Sequence, residues 1–196
     1  MARRRPRERS VETDQQSAEN TVLGLDCSTA TIGWGLVTLE EHPKLLKYGH
    51  IKPMESKHGS LVERLDDTFD RITALCEELS PTIVSVEEIK KFMKGRSSAQ
   101  TITILAGFNR VVSLAAFKCT RDIRFYSESE VRKIIKNKYM RKSDKISKDN
   151  MPDVIRKYLD DSFQGPLNTK GEIAAETNDE ADGIAVAWSA SIDSKE

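Results

Sequence analysis

The sequence predicts a mixed α/β fold, a five-stranded sheet with helices packed against it. Three β-rich runs follow one another near the start with short links between them. A long amphipathic helix then separates these from a continuous β-branched run, and helical and β-rich segments alternate from there to the end.

Taken in order, TVLGLD (21–26) is a short apolar run ending in a carboxylate, TIGWGLVTLE (31–40) is a second with Gly33 and Gly35 inside it, and LLKYGHIKP (45–53) is a third. Their short polar or proline-bearing links suit an antiparallel meander. Leu61, Leu65, Phe69, Ile72, Leu75 and Leu79 recur at three- and four-residue intervals before Pro81, the pattern of a helix with one apolar stripe and a stop signal. TIVSVEE (82–88) reads as a strand covered on both faces and again ends in carboxylates; reached through a helix, it returns parallel to the sheet it left. Residues 98–117 read as a long, largely buried helix, although the Thr and Ile residues of the first turn also suit a strand. DIRFYS (122–127) is the fifth strand, and SESEVRKIIKNKY (127–139) opens with Ser and Glu placed to cap a basic helix. A short helix over 149–159 and a closing helix, NDEADGIAVAWSASI, with Ala181, Ile184, Ala185 and Trp188 on one face, complete the order.

At 196 residues the chain has room for one domain with a core and is short for two, so we expect a single domain over 21–192. Residues 1–20 are Arg-rich at the head and almost free of large apolar side chains, which predicts a flexible basic arm. No apolar run approaches the roughly 20 residues of a bilayer span, and the opening lacks a secretory apolar stretch. The expectation is an intracellular protein, cytoplasmic or nucleoid-associated, neither secreted nor membrane-bound. Cys27, Cys76 and Cys119 are far apart and odd in number, which fits reduced, mostly buried thiols better than a disulfide or zinc framework.

The 31 basic and 31 acidic residues cancel, yet the charge is grouped: residues 131–148 hold eight Lys or Arg against one acid, and KKFMKGR (90–96) adds four more. A charge run is commonly only a solvated surface. If these residues meet phosphates, Lys90, Lys91, Lys94, Arg96, Arg132, Lys133 and Lys148 supply sequence-independent affinity that falls steeply with salt. Phe92, an aromatic side chain inside the basic stretch, is a candidate for contact with a base. Trp34 and Trp188 read as core.

Two strands end in carboxylates, Asp26 and Glu87 or Glu88, and Asp179 and Asp182 stand three apart on the closing helix. Residues three apart share a helix face, and active groups of open sheets gather at the carboxyl ends of strands. Like charges about 4 Å apart at an effective dielectric near 20 repel by roughly 4 kcal/mol. Mg²⁺, an oxygen-seeking cation commonly shared between carboxylates and substrate phosphate, relieves that repulsion. A pair of such ions serves the attacking water and the leaving 3′ oxygen of a phosphodiester displacement. No histidine base is then needed, and none of His42, His50 and His58 suggests a catalytic pair.

VLGLDCSTATIGWGLV resembles the opening strand, turn and strand of the RuvC Holliday-junction resolvases, within the RNase H-like superfamily. IVSVEEIKKFMKGRSSAQTI resembles their second acidic motif with its basic loop and helix, and NDEADGIAVAW their closing D-x-x-D-A-type helix. The three stand in the family's order over about 21–191. The resemblance implies an RNase H-like mixed five-stranded sheet, antiparallel meander plus parallel strands, with helices on both faces. It also implies Asp26 as a bridging metal ligand, Glu87 as the second carboxylate with Glu88 its competitor, and Asp179 with Asp182 completing the site. Mg²⁺ is the expected cofactor, Mn²⁺ its substitute, with two ions per site. The implied function is paired cleavage of four-way DNA junctions by a homodimer, with no nucleotide cofactor.

Two departures bear on this. Lys90 and Lys91 stand where the family often has an aromatic residue, with Phe92 slightly later, and Gly183 replaces a usual Ala, a small-for-small change expected to be tolerated. They suit a divergent member, for instance a phage-encoded one. Competing readings are an RNase H-like nuclease of RNA–DNA hybrid or flap substrates, and a junction-binding module with little cleavage. LGLDCSTATIGW is also similar to the phosphate-binding opening of sugar kinases and actin-like ATPases, but that class needs a second domain of like size. Asp26 as a turn cap and Asp179 as a helix cap are the plain structural alternatives.

Overall fold

The computed structural model describes residues 20–54, 59–89, 98–147, 150–165 and 174–194. The expected N-terminal arm, the 90–96 basic stretch and Lys148 lie outside the described residues. Three strands, β1 (Thr21–Cys27), β2 (Ile32–Thr38) and β3 (Leu45–Ile51), precede α1 (Leu61–Leu79), β4 (Ile83–Glu87), α2 (Ala99–Cys119), β5 (Ile123–Tyr126), α3 (Glu128–Tyr139), α4 (Met151–Tyr158) and α5 (Glu176–Asp193). The sheet runs β3-β2-β1-β4-β5; β1, β2 and β3 pair antiparallel, while β4 is parallel to β1 and to β5. The expected order, five-strand count and mixed pairing are all present.

Alternation along the strands divides the core. Leu23, Leu25, Leu36, Val84 and Val86 face α1 and α2, while Val22, Val37 and Ile83 face the opposite side with α3, α4 and α5. Helices therefore cover both faces. On the α5 side the sheet is lined with small residues: Gly24, Gly33 and Gly35 carry no Cβ where α5 crosses, and Ser85 bonds through Oγ to the Val186 carbonyl at 3.2 Å. α5 is correspondingly buried, with Ile184, Ala185, Ala187, Trp188 and Ala190 fully inside.

Local chemistry explains the helix starts. Ser60 with Glu63 and Ser127 with Glu130 form capping boxes at α1 and α3, which satisfy backbone N–H groups that a helix end leaves open. α1 stops at Ser80, whose left-handed φ of 45° ends the helix just before Pro81.

Four expectations need correction. α2 is not largely buried: only one face is, and Leu114 and Phe117 are 58% and 43% exposed. By length and composition this 21-residue helix is also apolar enough to cross a bilayer, against the expectation that no such run exists; here it packs against α1 and the sheet. The thiols are not mostly buried, since Cys119 is exposed and Cys27 half-buried. Cys119, free like the others, donates weakly to the Thr73 carbonyl between α1 and α2 and, after burial, its proximity helps push Cys76 up to about 12. Leu61 and Val62, at the start of α1, are exposed.

Candidate active site

Asp26 and Glu87 end neighbouring strands. Leu25 is level with Val86 in the parallel β1–β4 pair, so Asp26 and Glu87 follow at the same height. Val22 and Ile83 face α5, and a period of two carries Asp26 and Glu87 to that same side. There the start of α5 supplies Asp179 and Asp182. All four line one open cavity of about 380 Å³, together with Glu88 and Glu128. The four residues predicted to cluster are thus brought to one place, each half-buried.

Glu88 and Glu87 both border the cavity because Glu88 lies one residue past the strand, where alternation no longer separates neighbours; its N–H bonds to the Tyr126 carbonyl at 2.8 Å. Glu128 was not anticipated. The capping that starts α3 places it at the rim, and its side chain pairs with Arg132 four residues on. Arg132, expected to face a nucleic acid, is therefore already engaged by a carboxylate of the cavity. It also borders a separate basic hollow with Lys133, Lys136 and Lys145. Asn109 of α2 donates to the Glu87 carbonyl at 2.8 Å and steadies the end of β4 from the other face.

The donor set is oxygen-rich. Burial first, then the carboxylates of Asp26 and Glu87, hold the Cys27 thiol well above its ordinary pKa. A cavity lined mainly by carboxylate oxygens fits Mg²⁺ or Mn²⁺ better than zinc. Among the described residues no three such groups already stand in metal-holding geometry, and Asp26, Glu87, Glu128, Asp179 and Asp182 each have interaction partners.

α5 reaches the strand ends because nothing intervenes. A Cβ on Gly33 would fall 1.8 Å from the Asp179 carbonyl oxygen, and one on Gly183 would fall 2.6 Å from the Gly33 carbonyl. Gly183, which stands where the family usually has Ala, carries no Cβ at this close crossing. His50, level with Gly33 on the far side of β2, accepts a role that the sequence did not suggest: its Nδ1 lies 2.7 Å from Glu180 Oε1. Burial raises the Glu180 pKa and His50 opposes that shift.

Residues 22–155 match the family model described as "Crossover junction endodeoxyribonuclease RuvC", more than half of the chain. The chain belongs to the RuvC family. Curated relatives named crossover junction endodeoxyribonuclease RuvC include that of Rubrobacter xylanophilus, 30% identical over 117 residues that cover 60% of this chain and 63% of the relative. That of Chloroflexus aurantiacus is 35% identical over 82 residues, 41% of this chain and 48% of the relative. The matches thus span about half to under two thirds of these relatives' lengths. T. thermophilus RuvC, solved in complex with Holliday junction substrate, shares the fold at a TM-score of 0.67 and 18% identity, covering 90% of this chain and 95% of that one. The yeast mitochondrial Holliday junction resolvase shares it at 0.58 and 13%, covering 90% and 81%. RuvC-family nucleases are metal-dependent. The family match ends before α5, so Asp179 and Asp182 join the site through the fold.

Proposed function

We propose that this chain is a structure-selective endonuclease that resolves four-way DNA junctions by paired phosphodiester hydrolysis with Mg²⁺ or Mn²⁺. The observation that carries the reading is the convergence of Asp26, Glu87, Asp179 and Asp182, from three separate elements, on one cavity in a RuvC-family chain. Those four carboxylates are the ones that would hold the metal, and two ions are the proposed number. When bound, divalent cations supply charge stabilisation and an activated water for an in-line displacement. The chain's part is positioning: the β1–β4 register holds Asp26 beside Glu87, and the glycine-lined crossing brings Asp179 and Asp182 over them.

Lys133, Lys136 and Lys145 border a hollow outside the carboxylate cavity and are proposed to carry phosphates of a DNA arm. Twofold incision needs two sites, and a homodimer presents them to a symmetric junction. The apolar face formed by Leu114 and Phe117 of α2 and Phe125 of β5 supports this pairing; Arg121 stacks over Phe117 at 4.1 Å beside it.

The test is cleavage, with Mg²⁺ or Mn²⁺, of an immobile four-way junction beside matched duplex, flap and RNA–DNA hybrid. Paired symmetric nicks in the junction, lost in Asp26→Asn with binding retained, are expected. Cleavage confined to hybrid or flap would move the substrate while keeping the site, and full activity of Asp26→Asn would overturn the site itself.

A further inference from the structure

The first turn of α5 carries Asp179, yet it is not held by its own cap. Ala175 occupies the N-cap position and makes no side-chain hydrogen bond to the helix, unlike Ser60 at α1 and Ser127 at α3. Two contacts from the sheet's edge reach it. Tyr48, His50 and Lys52 project to the α5 side of β3 and its continuation. Lys52 Nζ reaches Glu176 Oε1 at 2.5 Å, and His50 Nδ1 reaches Glu180 Oε1 at 2.7 Å. The two pairs differ. Lys52 is well exposed, whereas the Glu180 side chain is only 5% exposed and its Oε2 has no hydrogen-bond partner among the described residues. A buried carboxylate with one oxygen unmet is poorly accommodated on stability grounds alone.

Its place on the sheet explains what it does. Asp26, Gly33 and His50 are level across β1, β2 and β3, and the Asp179 backbone lies directly over Gly33. The helix therefore straddles Gly33. Asp179 and Asp182 border the carboxylate cavity on the Asp26 side, and Glu180 goes to His50 on the other. A rotation of this turn that loosened Glu180 would swing Asp179 and Asp182 with it.

We infer that His50 is a positioning residue of the metal site, acting through Glu180 to fix the rotation of the first turn of α5 and so the placement of Asp179 and Asp182. The inference rests on the reading of those carboxylates as metal ligands. Loss of a group that orients metal ligands typically weakens metal affinity by about 10- to 100-fold. The lower figure applies here, because the glycine crossing continues to hold the helix.

The experiment is Mn²⁺ binding by electron paramagnetic resonance on the full chain, with the Mn²⁺ dependence of junction cleavage and thermal denaturation measured in parallel. His50→Ala is expected to weaken Mn²⁺ binding about tenfold and to raise the Mn²⁺ concentration for half-maximal cleavage by the same factor. His50→Asn, whose amide nitrogen sits near the position of Nδ1, restores most of that loss. Glu180→Ala weakens binding like His50→Ala without lowering the melting temperature, and adding His50→Ala to it produces no further loss.

Wild-type Mn²⁺ affinity in His50→Ala, or a melting shift with unchanged affinity, overturns the inference. So does an equal His50→Ala effect in the Glu180→Ala background. Should His50→Ala not fold, wild-type affinity in Glu180→Ala overturns it alone. Asp26→Asn separates the two readings: if it too binds Mn²⁺ like wild type, the carboxylate site falls and the inference with it. If it loses Mn²⁺ while His50→Ala and Glu180→Ala keep it, only the positioning role falls.

Discussion

Replacing Gly33 with Ala tests how closely the site depends on the approach of α5. The added Cβ would sit 1.8 Å from the Asp179 carbonyl oxygen and 2.2 Å from its carbon. An ordinary C···O contact is about 3.4 Å, so helix and strand must part by roughly 1.6 Å. Overpacking of this kind costs about 1–3 kcal/mol, and in a chain of this size each kcal/mol lowers Tm by about 2–4 °C. A domain with about 5–15 kcal/mol of stability remains almost wholly folded after such a loss. Activity responds differently, because misplacing a reacting group by about 1 Å costs on the order of a hundredfold. Gly35→Ala is the control: its Cβ meets Ile184 Cα and Cγ1 at 2.6 Å, further along α5 from the carboxylates. Thermal denaturation and junction cleavage at saturating Mn²⁺, measured on both variants, should give similar melting losses but a cleavage rate about a hundredfold lower only in Gly33→Ala. Equal cleavage rates in the two variants would refute the reasoning.

Three further outcomes are expected. Changing Lys133, Lys136 and Lys145 together to Ala should reduce the slope of log affinity against log salt by about 2–3, since each phosphate contact contributes roughly 0.9; an unchanged slope makes these residues bystanders. Leu114→Glu with Phe117→Glu should convert a dimer to a monomer in sedimentation at micromolar concentration, and a chain already monomeric before the change would remove the paired-site geometry. Tyr126, whose hydroxyl donates to Asp193 at 2.8 Å, is pushed up to about 12 by burial and then by that bond and the nearby charge. A phenol raised in the folded state stabilises fully below its unfolded value near 10 and loses that contribution as pH climbs to about 12. Urea midpoints at pH 8, 10 and 12 should therefore show the gap between wild type and Tyr126→Phe narrowing with pH, and a widening gap would contradict the assignment.

Periodicity carried much of the fold into view before any coordinates. β-branched runs, capping boxes and the stripe on α1 are local signals, and the order of strands and helices restricts how the sheet can pair. Asp26 and Glu87 were legible for the same reason, as carboxylates at strand ends that alternation sends to one side. What remained hidden depends on register between elements distant in the chain. His50 and Glu180 are 130 residues apart, and nothing local to either marks the other; only the level of His50 with Gly33, and of Gly33 with Asp179, joins them. Arg132 looked like one more surface cation because a sequence shows its charge and not its pairing with Glu128. α2 is apolar enough for burial throughout, so composition could not reveal that Leu114 and Phe117 lie on an open face.

The same crossing explains how a fold can carry a cluster of carboxylates at all. Two like charges about 4 Å apart repel by roughly 4 kcal/mol at an effective dielectric near 20, and even with the partners each group has, that repulsion acts to lift the start of α5. Opposing it are the fully buried side chains of Ile184, Ala185, Ala187 and Trp188 on the same helix, of which the larger ones contribute about 1.5–3 kcal/mol each. The helix is therefore anchored along its middle and stressed at its beginning. The absence of a Cβ at Gly33 and Gly183 lets its first turn lie close enough to reach Asp26 and Glu87, and the side chains that would fill a thicker interface there are the ones the site cannot accommodate. Stability is concentrated where α5 is apolar, and the turn ahead of it, which has no side-chain cap from Ala175, is met by His50 and Lys52 from the edge of the sheet.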